Sequence, residues 1–564
     1  MPNRPVPAET LRQTIAYVEQ CKAEGFAIDE GENSAIEEAA RRWMAKVDSS
    51  LSRKAFRSRY LVALKKFPDY RPKVRPNKAA PAPASPSWRL PAAVKGVRRV
   101  LLTSAQDGTD VHKPFWQNLQ AYARHIGAEI IVGGFTYNKS LFEDHSAAGS
   151  KFAAEVQPHL CYERVDMGPV HFCAEMNTLP TATRPLSGLD TYTKRSWAVF
   201  PHAKVQLASA PSLGVAQAKL LMTTGAVTLP NYVKKKAGYR ALFHHVIGAT
   251  IVEIDSAGRP FCRQINADTK DGSFQDLDIK VAKGKVTTGH RVAGITWGDI
   301  HREKLDPTVA LYSWGYDIDK DKIVLKNSML DVLKPRHQFF HDLLDFTARN
   351  HHNIADPQHR FRMLSQGTDS VWQEILACVR FVRATQRSWC QSVIVESNHD
   401  TALDRWLRTT DFRSDPVNAQ FFLRCQLALY DSISRGDRDF NVYQWALKQA
   451  DECGLSGIEF VPEGGSYIIC EEHGGGVECG VHGHEGMNGS RGSPLQFSRF
   501  VTKMNTGHTH SASILDSVYT AGVSGKLDMD YNNPALSTWS HSHTGTYDNA
   551  KRTIVTMQGE KWRA

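Results

Sequence analysis

Three times in the second half of this chain an apolar run ends in a compact set of Asp, His and Asn. That recurrence obliges the fold to gather the run ends in one place. The clusters are Gly298-Asp299-Ile300-His301, His341-Asp342-Leu343-Leu344-Asp345 and Ser397-Asn398-His399-Asp400, following apolar residues 291–297, 338–340 and 392–395. Runs of that length and character read as buried strands. A fourth cluster, Gly507-His508-Thr509-His510, lies further on, with Val481-His482-Gly483-His484 before it. Open α/β sheets carry their sites where polar residues follow the carboxyl ends of buried strands, so an α/β core is expected here.

The donor types define the chemistry. Oxygen and imidazole ligands without thiolate suit Mn²⁺, Mg²⁺, Fe or Zn²⁺. Two such ions about 3.5–4 Å apart, bridged by one carboxylate, clamp the attacking and leaving oxygens of a phosphoester. The order Asp-x-His, Asp, Asn-His-Asp, His, Gly-His-x-His resembles the calcineurin-like metallophosphoesterase superfamily. The resemblance implies a layered core, a β-sandwich flanked by helices, and two divalent metal ions, Mn²⁺ foremost. It implies Asp299, His301 and His510 on one metal, Asp342 as the bridge, and Asn398, His482 and His508 on the other. His399 matches the catalytic histidine, with Asp400 expected to orient its ring.

Two positions depart from the superfamily pattern, His341 and Ser397, where glycine is usual. Asp331 and Asp345 are alternatives to Asp342 as the bridge, which is favoured by Phe339-Phe340 directly before it. His473 and His484 compete with His482, which is favoured by the apolar residue before it and the glycine after it. His541-Ser542-His543 has no flanking acid motif and reads as an ordinary structural pair among 23 histidines.

Charge is concentrated near the start. Between Leu51 and Val100 stand fourteen Lys/Arg and one acid, so this stretch carries +13 of a net +10 and the rest sums to −3. Apolar residues at 51, 55, 56, 60, 61 and 64 predict a helical stripe, with Arg53, Lys54, Arg57, Arg59, Lys65 and Lys66 as candidate phosphate contacts. Ser50 or Ser52 is the expected cap. Preceded by two further helical patterns, this resembles a helix-turn-helix module binding DNA; the bland reading is a small interaction module with a solvated basic face. Lys73 to Pro91 is rich in Pro and Ala and reads as a linker.

The expected organisation is therefore an all-α module over 1–70, a linker over 71–97, an accessory α/β domain over 98–288 and the metallophosphoesterase domain over 289–564. Lys234-Lys235-Lys236 and Arg240 suit phosphate contact or simple solvation. Ten scattered cysteines without a Cys-x-x-Cys pair fit reduced thiols in a cytoplasm, no apolar signal core is seen, and no run of 18 apolar residues predicts a membrane span. Central segments 223–232 and 243–249, with His341–Phe346, resemble DNA-transfer proteins of large tailed bacteriophages. That implies a nuclease acting in the cytoplasm of an infected bacterium and a homo-oligomer. The leading expectation is a metal-dependent DNase. The alternatives are a phosphatase or cyclic-nucleotide phosphodiesterase with a protein-binding N-terminus, and a DNA-binding structural oligomer with a vestigial metal site.

Overall fold

The computed structural model describes residues 6–23, 34–72, 90–138, 151–213, 216–350, 353–529 and 536–564; of the expected linker over 71–97, residues 73–89 lie outside them. The chain divides into two compact units, one holding residues 1–84 with 138–149, the other 85–137 with 150–564.

In the first unit, helices Ala8–Ala23, Ala35–Lys46 and Arg53–Lys66 enclose a core of Leu11, Ile15, Val18, Trp43, Phe56 and Tyr60. Ser34 and Ser52 cap the second and third helices, accepting from Glu37 N–H at 3.3 Å and Ala55 N–H at 3.2 Å. Such caps contribute about 1 kcal/mol each. The stripe of the basic helix differs from expectation. Phe56, Tyr60 and Ala63 are buried, while Leu61 and Leu64 are exposed. Three residues spaced i, i+4, i+7 already fill the face against Trp43, so 61 and 64 fall outside it. Arg53, Lys54, Lys65 and Lys66 are exposed, whereas the Arg59 guanidinium lies 5.7 Å from the Trp43 ring centroid.

The second unit is mixed α/β. A six-stranded sheet runs in the order Ile458–Val461, Gln391–Val395, His337–His341, Gly294–Thr296, Ser542–Thr546, Arg552–Thr556. The first four strands are parallel and the last two antiparallel. Alternation sorts its faces. Ile295, Phe340 and Ile394 join a core with helices Val371–Thr385, Ala402–Thr409, Ala419–Ser434 and Val442–Ala450. Phe339, Val393 and Val395 face Ile469, Val477 and Cys479 of a ten-stranded sheet.

That larger sheet combines strands from residues 164–223 with strands from 468–520, joined where Ile514 pairs with Leu207. The expected boundary at 288/289 runs through this sheet, so the two expected domains are interwoven here. A five-stranded sheet built on Arg98–Gln106 and Glu129–Phe135, parallel across the Lys113–Ile126 helix, packs Val100, Leu102 and Ile131 against Phe172, Val199 and Ile514. No helix among the described residues is long and apolar enough to cross a membrane, and none of the ten cysteines is joined in a disulfide.

Candidate metal centre

The three parallel strands Gly294–Thr296, His337–His341 and Gln391–Val395 deliver their following loops to the same sheet end. The first two loops run side by side: Ile300, His301 and Arg302 donate their N–H groups to the carbonyls of His341, Asp342 and Leu343 at 3.0, 2.7 and 3.1 Å. Holding that path requires unusual backbone. His301, Asp342, His508 and His510 all have positive φ, at 46°, 46°, 71° and 56°. Non-glycine residues rarely adopt this region, and such strain gathers at functional sites.

Asp299, His301, Asp342 and His510 are buried with donor atoms close enough to share one ion. His301 Nε2 lies 2.9 Å from His510 Nε2 and 3.5 Å from Asp342 Oδ2; His510 Nε2 lies 3.3 Å from Asp299 Oδ2. His482 Nε2 is 3.3 Å from the same Oδ2. The His508 ring packs edge-on at 5.3 Å from His482. Asp342 Oδ2 is thus approached by both His301 and His482. Gly507 is needed because a Cβ there would lie 2.1 Å from Asp299 Oδ1, and the next residue, His508, donates its N–H to Asp299 Oδ2 at 2.7 Å.

The donors fit a cation better than one another. Asp299 Oδ1, Asp342 Oδ1, Asn398 Oδ1 and both His482 nitrogens are buried without a hydrogen-bond partner. Orphaned buried acceptors of this density are costly unless something positive meets them. Burial, and then the Asp342 charge, push the Asp299 carboxyl well above the ordinary range. Burial acts the same way on Asp342, but the His482, His399 and His301 imidazoles hold it well below. Burial lowers His482 and His510 and takes His508 down to about 4, leaving neutral imidazoles of the kind that ligate metals.

His399 stands at the rim, its ring 4.8 Å from that of His301. Burial works against its charged form, yet Asp342 and Asp345 raise its pKa above the ordinary value. Asp400 does not orient this ring, as had been expected. Its carboxylate is occupied by Leu344 N–H at 3.1 Å and by Ser397 N–H and Oγ at 3.0 and 2.8 Å, tying two loops together. Burial, then Asp342, push Asp400 up to about 7.

The orienting residue is Asp345. Its carbonyl meets His399 Nδ1 at 3.0 Å, and its carboxylate meets His301 Nδ1 at 2.9 Å. Sequence reading found Asp345 only as a rival bridge. Its position three residues past Asp342 on a curved loop carries no signature of its own. His341 also faces this region, buried with both nitrogens unpartnered and its ring 5.6 Å from His482. His543, read as part of an ordinary pair, accepts the Gly298 N–H at 3.0 Å and so supports the Asp299 loop. His484 lies beside Glu463, its ring 6.0 Å from His508, and His473 is exposed beside Glu472 at 3.6 Å.

No family model matches the chain, and no solved structure matches it. It is 40% identical over 481 residues to "Protein A1" of Escherichia phage T5, with 84% of each chain covered.

Proposed function

We propose that this chain, which belongs to the family of protein A1 of Escherichia phage T5, is a metal-dependent phosphodiesterase acting on DNA. The observation that carries the reading is the convergence on Asp342. His301 and His482 approach the same oxygen at 3.5 and 3.3 Å from opposite ligand groups, with unpartnered carboxylate and amide oxygens around it. Asp299, His301 and His510 would hold one divalent ion, Asn398, His482 and His508 a second, and Asp342 both. When bound, such a pair supplies Lewis acidity and an activated water for phosphoester hydrolysis.

The chain's own residues supply the rest. Asp345 fixes His301 and His399 together, one through its carboxylate and one through its carbonyl. With Nδ1 engaged, His399 presents Nε2 to a phosphoryl oxygen or the departing ester oxygen, where a positioned proton donor contributes about 10²–10⁴-fold. DNA is favoured over a small phosphoester by the exposed Arg53, Lys54, Lys65 and Lys66 of the capped N-terminal helix, because cations of this density bind phosphate backbones without regard to sequence.

The test is incubation of plasmid and single-stranded DNA with the purified chain in Mn²⁺, Mg²⁺ or EDTA, beside Asp342→Asn and His301→Ala. Cleavage in metal, abolished by EDTA and by either substitution in folded protein, is expected. Turnover by either variant at saturating metal would overturn the site assignment.

A further inference from the structure

From Thr191 to Val252 the chain has no Asp or Glu in 62 residues, while it carries eight Lys and Arg. Half of these cations, Lys234, Lys235, Lys236 and Arg240, fall on one short turn and the Lys236–Phe243 helix that follows it. All four are exposed, and none makes an ion pair among the described residues. Between them the helix exposes large apolar side chains: Tyr239 is 63% exposed, Leu242 47% and Phe243 84%. Leaving an aromatic ring so bare on a monomer surface is unfavourable, and a patch combining it with unpaired cations marks an interaction site.

The patch is built rigidly. The Val233 carbonyl lies so close to the helix that a Cβ at Gly238 would be 1.8 Å from it, and the same carbonyl accepts the Lys235 N–H at 2.7 Å. Below the turn, Tyr232 Oη meets His245 Nδ1 at 2.7 Å, and His245 Nε2 lies 3.0 Å from the Thr228 carbonyl. The one acid near the helix's C-terminal end, Asp516, is taken up by Lys204 and by Arg184 at 3.3 Å, with His244 Nδ1 at 3.7 Å. At the other end of the turn, the Asp110 carbonyl accepts the Leu229 N–H at 2.9 Å and the Asp107 carbonyl accepts from Asn231 Nδ2 at 3.1 Å, so these two acids flank the patch, while none of its four cations is paired with an acid among the described residues.

We propose that this turn and helix form a docking surface for single-stranded nucleic acid, with Lys234, Lys235, Lys236 and Arg240 on phosphates and Tyr239 and Phe243 stacked on bases. Residues four apart on a helix project side by side, about 5–6 Å between Cβ atoms, so the two rings form adjacent platforms. Bases in a duplex are already stacked and offer no face to such rings, whereas an unpaired strand does. A membrane is the poorer fit, because interfacial helices bury a long continuous apolar face and this one spans eight residues. Asp516, under the helix's end, is six residues beyond His510. Their Cα atoms are therefore at most about 20 Å apart, and the surface adjoins the sheet region that carries the His508–His510 loop.

This inference goes beyond the hydrolytic reading and is tested apart from it, on full-length chain in EDTA so that binding is read without cleavage. Fluorescence anisotropy with a labelled oligothymidylate, and with a duplex of the same length, is measured across a salt series. Tyr239→Ala and Phe243→Ala should each weaken binding of the single strand about tenfold and leave duplex binding unchanged, with Phe243→Trp restoring it. The combined Lys234→Ala, Lys235→Ala, Lys236→Ala variant should flatten the single-strand salt slope by about 2. All these side chains are exposed, so melting temperatures should not move. Unchanged single-strand affinity and slope in these variants would overturn the proposal. So would a loss seen only with phosphatidylserine vesicles, or only as a change of mass in light scattering.

Discussion

Gly507→Ala asks whether the close fit between the His508 loop and Asp299 serves metal binding. The added Cβ would lie 2.1 Å from Asp299 Oδ1, where carbon and oxygen ordinarily rest about 3.3 Å apart. Asp299 or the loop must therefore yield by about 1 Å. The backbone itself tolerates alanine, since Gly507 is not among the residues of positive φ. Metal ligands keep their distances within about 0.2 Å, and a misplacement of 1 Å near reacting groups costs on the order of 10²-fold in rate. The shift also strains the 2.7 Å bond from His508 N–H to the other Asp299 oxygen, so both candidate metal positions are affected. The assay is Mn²⁺ affinity by calorimetry, turnover of a chromogenic phosphodiester, and a melt followed by circular dichroism. Weakened Mn²⁺ binding and about a hundredfold lower turnover in a folded protein are expected. Full metal content with turnover within twofold of the parent would refute the reasoning.

His399→Gln should lower kcat about 10²–10⁴-fold with metal content near normal, and less for a nitrophenolate leaving group; loss of a metal would make His399 a ligand. Removing residues 1–80 should weaken DNA binding and flatten its salt dependence while hydrolysis of a small phosphodiester persists; an unchanged salt slope would exclude the basic helix as a DNA contact. Burial holds His202 and His245 at about 4 and His543 at about 3, against 6.5 when exposed. Each stays neutral in the fold but takes up a proton on unfolding below 6.5. Their contribution, at most about 3 kcal/mol apiece for His202 and His245, is complete above pH 6.5 and declines as pH falls toward 4. Denaturant midpoints in EDTA should fall across that window, and a flat profile would contradict it.

Local periodicity made the elements legible. The helix expected from the apolar stripe over 51–64 is Arg53–Lys66, with Ser52 as its cap. The three site strands end where the apolar runs end, because a buried strand stops where its side chains turn polar. What local pattern does not carry is partnership at a distance. The pairing of Ile514 with Leu207 joins segments some three hundred residues apart, and nothing in either strand names the other. The same holds within the centre. Asp400 stands next to His399 in sequence yet bonds Ser397 and Leu344, while Asp345, from a different loop, reaches His399 through its carbonyl. A backbone carbonyl leaves no trace in residue identity. His341 and Ser397 show the converse. Both replace an expected glycine, and the loops still form, with Asp342 itself adopting φ 46°.

The central claim is that Asp342 joins two metal positions, and Mn²⁺ titration of the full-length chain beside Asp342→Asn tests it most directly. The account predicts two Mn²⁺ ions per chain, and loss of tight binding at both positions in Asp342→Asn while the protein remains folded. An absence of Mn²⁺ binding, or an Asp342→Asn chain that still takes up two ions with parental affinity, would contradict it.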